Sequence, residues 1–205
     1  MNTDVLIVGA GPAGLSLAIS LAHAGLQATV LELQGEAQLA SPAPDGREIA
    51  LTHPSVQTLQ RLGTWARLQD HEIGSIRDAI VHDGPVGARS TLDIVAEGSG
   101  ADYLGRIVPN FALRRTAWEV ASSTEGVTII TGTRVTQVTT TDTHAEVHYT
   151  QDDNGVRVDA APLKAPLVVA ADSRFSGVRR MLGVGAQMTD FGRSVIVCRL
   201  STTVS

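Results

Sequence analysis

Lysine is nearly missing from this chain: of its 16 basic residues only Lys164 is lysine and the rest are arginine. The 21 acidic residues leave a net charge of −5, and no basic cluster stands out along the sequence. That balance excludes the electrostatic footprint of a nucleic-acid partner or of an anionic membrane surface. Cysteine occurs once, at Cys198, so no disulfide can form within the chain, which fits a reducing compartment. Aromatic residues make up 3%, and Trp65 and Trp118 are too scattered for a base-stacking platform. The six histidines include one close pair, His144 and His148, which reads as the solvent side of a strand and not as a metal site. No apolar run approaches the roughly 20 residues that span a bilayer, and no basic segment precedes an apolar one as in a signal peptide. What remains is a composition of 43% hydrophobic residues, enough for a sizeable core in one or two domains.

Residues 5–32 are the most informative stretch. They read VLIVGAGPAGLSLAISLAHAGLQATVLE, an apolar strand, a glycine turn, an apolar-periodic helix, a second strand and an acid. The glycines Gly9, Gly11 and Gly14 suit a tight turn, a close approach of pyrophosphate to backbone, and close packing of helix on strand. Pro12 and Ala13 open the helix, whose free N–H groups and positive dipole end face an anion. Glu32 then stands where it can accept hydrogen bonds from a ribose hydroxyl, and it would repel a 2′-phosphate. The pattern predicts a dinucleotide site for FAD or NAD in preference to NADP.

Further along, residues 34–46 read as a surface loop leading to Arg47. A helix is expected from Pro54, with apolar positions Val56, Leu59, Leu62, Trp65 and Leu68 and a break at Gly63. Residues 76–95 look extended around an Asp83-Gly84-Pro85 turn. A second helix is expected over 110–125, capped by Asn110 and ended by Gly126. Strands are expected over 134–139, 145–150 and 156–160, the last two making an antiparallel pair in which Val147 and Tyr149 are answered by Val156 and Val158. Residues 167–171 form a continuous apolar run, as a buried parallel strand should. The fold class is therefore α/β: a Rossmann-like domain with a parallel central sheet, a small antiparallel meander and the start of a mixed sheet that a final strand at 194–200 would enter. We expect the first domain to comprise residues 1–75 and 105–185, and residues 76–104 with 186–205 to be part of a substrate-side sheet.

A second constellation follows the apolar run. Asp172, Ser176 and Arg179 gather a carboxylate, a hydroxyl and a cation at a strand's carboxyl end, where ligands bind in open α/β sheets. Read alone, they could equally be turn and capping residues. Together with the N-terminal fingerprint, the segment LVVAADSRFSGVRRMLG resembles a signature of single-component FAD-dependent aromatic hydroxylases, with Ser173 standing where the family usually has glycine. The block DGREIALTHPSVQTLQRLGTW resembles the subgroup that acts on ubiquinone precursors, through Arg47, Ala50, Leu51, Thr52, Ser55, Leu62, Gly63 and Trp65. RIVPNFALRRTAWEVA resembles the family's following strand and helix, with Arg114 at a position that is often polar and faces FAD.

The resemblance implies an FAD- and NAD(P)H-dependent monooxygenase that hydroxylates the aromatic ring of a quinone precursor. It further implies FAD contacts from Arg47 and Arg114, whose guanidinium groups can meet phosphate oxygens in paired hydrogen bonds. It places the backbone at Val135 against the adenine, and it assigns Asp172 and Arg179 to the cofactor. No residue reads as a proton-transfer catalyst. Family members run to about twice this length by resemblance, so the expectation is an N-terminal fragment, inactive by itself, carrying the adenine half of the FAD site without the flavin-ring half. A cytoplasmic location is expected, with peripheral attachment to the inner membrane or to a biosynthetic complex left open, as is self-association through an exposed sheet edge. Two alternatives stand beside this reading: a nucleotide-binding or assembly module without turnover, and an NAD-dependent dehydrogenase.

Overall fold

The computed structural model describes residues 3–84, 90–96, 102–153 and 155–194. In chain order the elements are β1 (Val5–Val8), α1 (Pro12–His23), β2 (Ala28–Leu31), α2 (Glu36–Ala40), β3 (Glu48–Leu51), α3 (His53–Arg61), β4 (Gly74–Ile76), β5 (Asp78–Asp83), β6 (Ser90–Val95), β7 (Gly105–Pro109), α4 (Asn110–Ala121), β8 (Val127–Ile130), β9 (Thr133–Thr140), β10 (Ala145–Asp153), β11 (Val156–Asp159), β12 (Leu163–Ala165), β13 (Leu167–Ala170) and α5 (Gly177–Met181). Of the strand expected over 194–200, residues 195–200, with Cys198, lie outside the described residues.

Four short apolar runs form one parallel sheet in the order β13-β1-β2-β8. Because side chains alternate along a strand, β1 feeds two cores. Val5 and Ile7 join Leu15, Ala18 and Ile19 of α1 and Trp118 and Ala121 of α4. Leu6 and Val8 join Val138, Val147 and Tyr149 of the meander and Val178 of α5. The layering of helices, sheet and meander is the α/β arrangement expected from the sequence.

Strand β13 departs from expectation. The continuous apolar run suggests burial on all sides, yet Leu167 is 52% exposed. The strand is the outer member of the sheet, and among the described residues no neighbour covers its far side.

In the meander, β10 pairs with β9 along one edge and with β11 and β12 end to end along the other. Val156 and Val158 lie opposite Asp153 and Gln151 rather than Tyr149 and Val147. They are 62% and 44% exposed, so the expected apolar match is displaced beyond the covered part of the strand. The pairing of β9 with β10 slips between His148 and Tyr149, which face Gln137 and Val135 and leave Thr136 as an extra residue. That bulge turns Thr136 and Gln137 both outward and returns Val138 to the core.

A third unit, the antiparallel sheet β3-β7-β4, packs against α3 and α4 around Val108, Ala112 and Leu113. Helix α3 is capped by Thr52, whose hydroxyl accepts from Ser55 N–H, and it ends before Gly63. Trp65 and Leu68 still pack on this core, but from a short 3-10 turn and not from a continued helix. Helix α4 is shorter than expected and ends at Ala121. Its N-cap is Pro109, and Asn110 is the first helical residue, whose side chain donates to Asp45 (2.7 Å) instead of capping the helix. A nearly buried ion pair that sequence reasoning missed fastens the turn before β4 to α4: Arg115 Nη2 lies 2.7 Å from Glu72 Oε2. The hairpin β5–β6 exposes Val81, Leu92 and Ile94, neighbours on one of its faces.

Candidate cofactor-binding site

The carboxyl ends of β1, β2 and β13 are stitched together where the chain leaves β1. Gly9 N–H donates to Leu31 O (2.8 Å), and Ala171 N–H donates to Val8 O (2.8 Å). Gly9 has φ +109, and a Cβ there would sit 2.5 Å from Ala171 O, so both conformation and space exclude a side chain. A Cβ on Gly14 would lie 2.0 Å from Gly9 O and 3.2 Å from Ala171 Cβ, so α1 presses its first turn onto the residues that directly follow β1 and β13. Gly11 differs from both, because a Cβ there would meet nothing within 4 Å. Among the described residues no packing requires its bareness, and the space it leaves is open. Pro12 and Ala13 follow in the first turn of α1, where helix N–H groups lack partners within the helix.

Glu32 stands one residue beyond β2 and is held on both oxygens. Oε2 accepts from Ala10 N–H (2.7 Å) and Oε1 from Gln34 N–H (2.8 Å). Its backbone carbonyl accepts from Thr133 N–H (2.8 Å) and Thr133 Oγ1 (3.1 Å), which docks the start of β9 beside the end of β2. Two residues on from Thr133, Val135 lies on the same side of β9 and faces the same space.

Asp172 follows β13. Its Oδ2 accepts from Val178 N–H (3.1 Å) in the first turn of α5, while Oδ1 is buried and has no hydrogen-bond partner among the described residues. Such an orphaned oxygen costs on the order of 1–3 kcal/mol unless something donates to it. Ser176 caps α5, its hydroxyl accepting from Arg179 N–H (2.9 Å). Ser173, at the family's glycine position, is the one non-glycine residue with positive φ among the described residues, at +94.

A cleft of about 340 Å³ joins these pieces and is lined by Gly9, Glu32, Leu33, Thr133, Arg134, Val135, Asp172, Gly177 and Val178, among others. Its place at the carboxyl ends of parallel strands is where open α/β sheets hold ligands. Of the sequence-derived candidates, Gly9, Glu32, Val135 and Asp172 meet there, with Gly11, Pro12, Ala13 and Gly14 in the adjoining turn.

The three arginines do not line the cleft. Arg179 reaches instead to the carbonyl of Val184. Arg114 donates to Gln34 Oε1 (2.6 Å), and so braces the loop that holds Glu32. Arg47 is 63% exposed and pairs through Nε (2.8 Å) and Nη2 (2.6 Å) with Asp45 Oδ2. Partial desolvation pushes the Asp45 pKa up, but the hydrogen bonds from Arg47 and Asn110 outweigh it and hold the group at about 2. Sequence reasoning missed Leu33 and Arg134. The signal was present, since each is the immediate sequence neighbour of a residue already singled out, Leu33 of Glu32 and Arg134 of Val135.

Residues 2–203 match the FAD binding domain family. The chain belongs to that family. It is 42% identical over 211 residues to the ubiquinone hydroxylase UbiM of Neisseria meningitidis, an alignment that covers 100% of this chain and 43% of that protein. It is 27% identical to the 3-demethoxyubiquinol 3-hydroxylase of Escherichia coli, over 95% of this chain and 47% of the other. Among solved structures, p-nitrophenol 4-monooxygenase PnpA from Pseudomonas putida superposes with a TM-score of 0.70 at 22% identity, over 89% of this chain and 44% of that one, which shows a shared fold. The chain spans somewhat under half the length of the curated relatives it matches.

Proposed function

We propose that this chain holds the adenosine and pyrophosphate side of FAD, and that it is part of a flavin-dependent monooxygenase that hydroxylates the aromatic ring of a ubiquinone precursor with NAD(P)H as reductant. The observation that carries the cofactor assignment is Asp172 Oδ1, a buried acceptor without a donor among the described residues, on a side chain lining a nucleotide-sized cleft. A sugar-alcohol hydroxyl of the cofactor is the donor it lacks. Gly11 supports the same reading, since the space in front of it suits a pyrophosphate beside the N-terminus of α1. The names of the relatives support the substrate class.

When bound, FAD supplies the redox chemistry that draws electrons from the nicotinamide and activates oxygen for transfer to the ring. This chain's residues do the holding. The N–H groups of Ala13 and Gly14 meet the pyrophosphate. Glu32, fixed by Ala10 and Gln34, keeps one lone pair on each oxygen for a ribose hydroxyl and rejects a 2′-phosphate. Arg114 steadies that acceptor through Gln34. Arg47 is free to exchange Asp45 for a phosphate oxygen, and Arg179 fixes the end of α5. We assign the apolar face of β5–β6 to the substrate side. No helix among the described residues is long and apolar enough to cross a membrane, and we place the protein in the cytoplasm, with contact to a membrane surface limited to presenting an apolar quinone precursor.

The test is FAD titration of the wild-type chain and of Asp172→Asn, followed by flavin fluorescence quenching. One oxygen of the wild-type carboxylate caps α5 and the other awaits a donor, and the amide cannot accept at both places. A loss of about tenfold in affinity is expected, the equivalent of one hydrogen bond to a charged group. Equal affinity in the variant and the wild type would remove Asp172 from the site, and with it the reading of the cleft.

A further inference from the structure

The chain has three methionines. Met1 lies outside the described residues, and Met188 is 81% exposed and does not line the cleft. Met181, the last residue of α5, lines the cleft beside Asp172 and Gly177 and is 38% exposed. One turn earlier in the helix, Val178 is buried in a core with Leu6 and Val8, whereas Met181 joins no core among the described residues. A Cβ on Gly177 would lie 3.6 Å from Asp172 Oδ2 and 3.9 Å from Met181 Cε, so the thioether end and the carboxylate share the space that this glycine leaves open. A flexible, polarisable thioether that solvent reaches is an oxidisable group. Here it stands in a binding cleft that already carries the carboxylates of Glu32 and Asp172.

We propose that Met181 is an oxidation site coupled to cofactor binding: hydrogen peroxide converts its sulfur to the sulfoxide when the cleft is empty, the sulfoxide weakens the hold on FAD, and bound FAD shields the sulfur. A sulfur lone pair takes one peroxide oxygen and the O–O bond breaks. The hydroxide released removes the proton from the oxygen that sulfur has gained and departs as water, so the sulfur loses two electrons and the peroxide is reduced by them. The product sets a strongly dipolar oxygen, which only accepts hydrogen bonds, beside Asp172. It competes for the hydroxyl donor that Asp172 Oδ1 lacks, and it turns an apolar part of the cleft wall into a polar one that must shed water before a ligand can sit against it. Shielding follows from occupancy, because a ligand that fills the cleft covers its lining. The inference rests on the FAD reading above and adds to it a modification that empties the site under oxidising conditions.

The test treats the wild-type chain with hydrogen peroxide, with and without FAD, and maps sulfoxide at each methionine by peptide mass spectrometry. FAD is then titrated into the protein that was oxidised without it. Met181→Leu, of similar volume and without sulfur, and Met188→Leu pass through the same steps, each judged against its own untreated sample. Met181 should oxidise several-fold more slowly with FAD present, while Met188 oxidises at one rate in both samples. The oxidised wild type should bind FAD about tenfold more weakly, the size of one hydrogen bond to a charged group. Treated Met188→Leu should lose as much, treated Met181→Leu should lose nothing, and methionine sulfoxide reductases should restore the wild type. The proposal is overturned if Met181 resists the oxidant, if FAD leaves its oxidation rate unchanged, or if protein carrying the sulfoxide there binds FAD like the untreated chain. It is overturned equally if treated Met181→Leu weakens as the wild type does, since that puts the damage at another residue. An untreated wild-type chain that fails to bind FAD would bring down the functional reading itself, an outcome seen before any oxidant is added.

Discussion

Replacing Ser173 with glycine should stabilise this protein. At φ +94 the Ser173 Cβ crowds its own backbone, and holding a non-glycine residue in such a region costs roughly 1–2 kcal/mol. Glycine removes that strain but loses more freedom on folding, a penalty of roughly 0.5–1 kcal/mol. The serine hydroxyl makes no hydrogen bond among the described residues. The bond that closes the turn, Ser176 N–H to Ser173 O (3.1 Å), is backbone to backbone and survives the change. The net gain is then about 0.5–1 kcal/mol, or about 1–4 °C in Tm for a chain of this size. Thermal unfolding followed by circular dichroism measures it, with Ser173→Ala as the control that keeps the Cβ and therefore the strain. Glycine and alanine variants that melt together, at or below the wild type, would refute the strain argument. FAD affinity should be kept or improved by glycine, because Asp172 and the cap at Ser176 are untouched.

Two further substitutions separate packing from binding in the glycine turn: Gly14→Ala drives a Cβ to 2.0 Å from a backbone oxygen and should cost at least about 2 kcal/mol in urea unfolding, whereas Gly11→Ala, whose Cβ meets nothing, should cost under about 1 kcal/mol and still weaken FAD binding. Equal stability losses in the two would show that the turn is not pressed against α1 as described. The pair of Asp45 with Arg47 should be visible in acid: its carboxyl is lowered from 3.8 to about 2, so its contribution is complete above about pH 4 and lost as pH falls toward 2. The stability difference between the wild type and Asp45→Asn, followed by urea midpoint against pH, should therefore close across that window, and a difference undiminished at pH 2 would count against the pairing.

What could be read in the sequence was whatever local backbone geometry dictates. Gly9 and Gly14 are required by a positive φ and a sub-van der Waals approach that no other residue tolerates, so their spacing encodes the turn directly. Asp172 was legible for a similar reason, since an apolar strand that stops at a carboxylate marks a sheet end. Contacts between distant segments were not legible. Asn110 looks like a helix cap because its residue type caps helices, but Asp45, 65 residues away, takes its side chain. The run 167–171 looks buried because it is apolar, yet burial depends on which strand lies beside it. Arg47, Arg114 and Arg179 were grouped by resemblance, and each has found a different partner in the folded chain.

Glu32 and Asp172 both face the cleft, but they are not equivalent probes of it. Glu32 is a structural hub: its side chain fixes the turn at Ala10 and the loop at Gln34, and its carbonyl carries the docking of β9. Truncating it would release two backbone N–H groups and loosen Leu33 at the same time, so a loss of cofactor would follow whether or not the carboxylate touches a ribose. Asp172 divides its work between its two oxygens, one satisfied by Val178 and one by nothing among the described residues. Only the second has no structural duty to lose. A change confined to that oxygen reports on the ligand alone, and for this reason the identity of what the cleft holds turns on Asp172 even though Glu32 is the more conspicuous residue in the sequence.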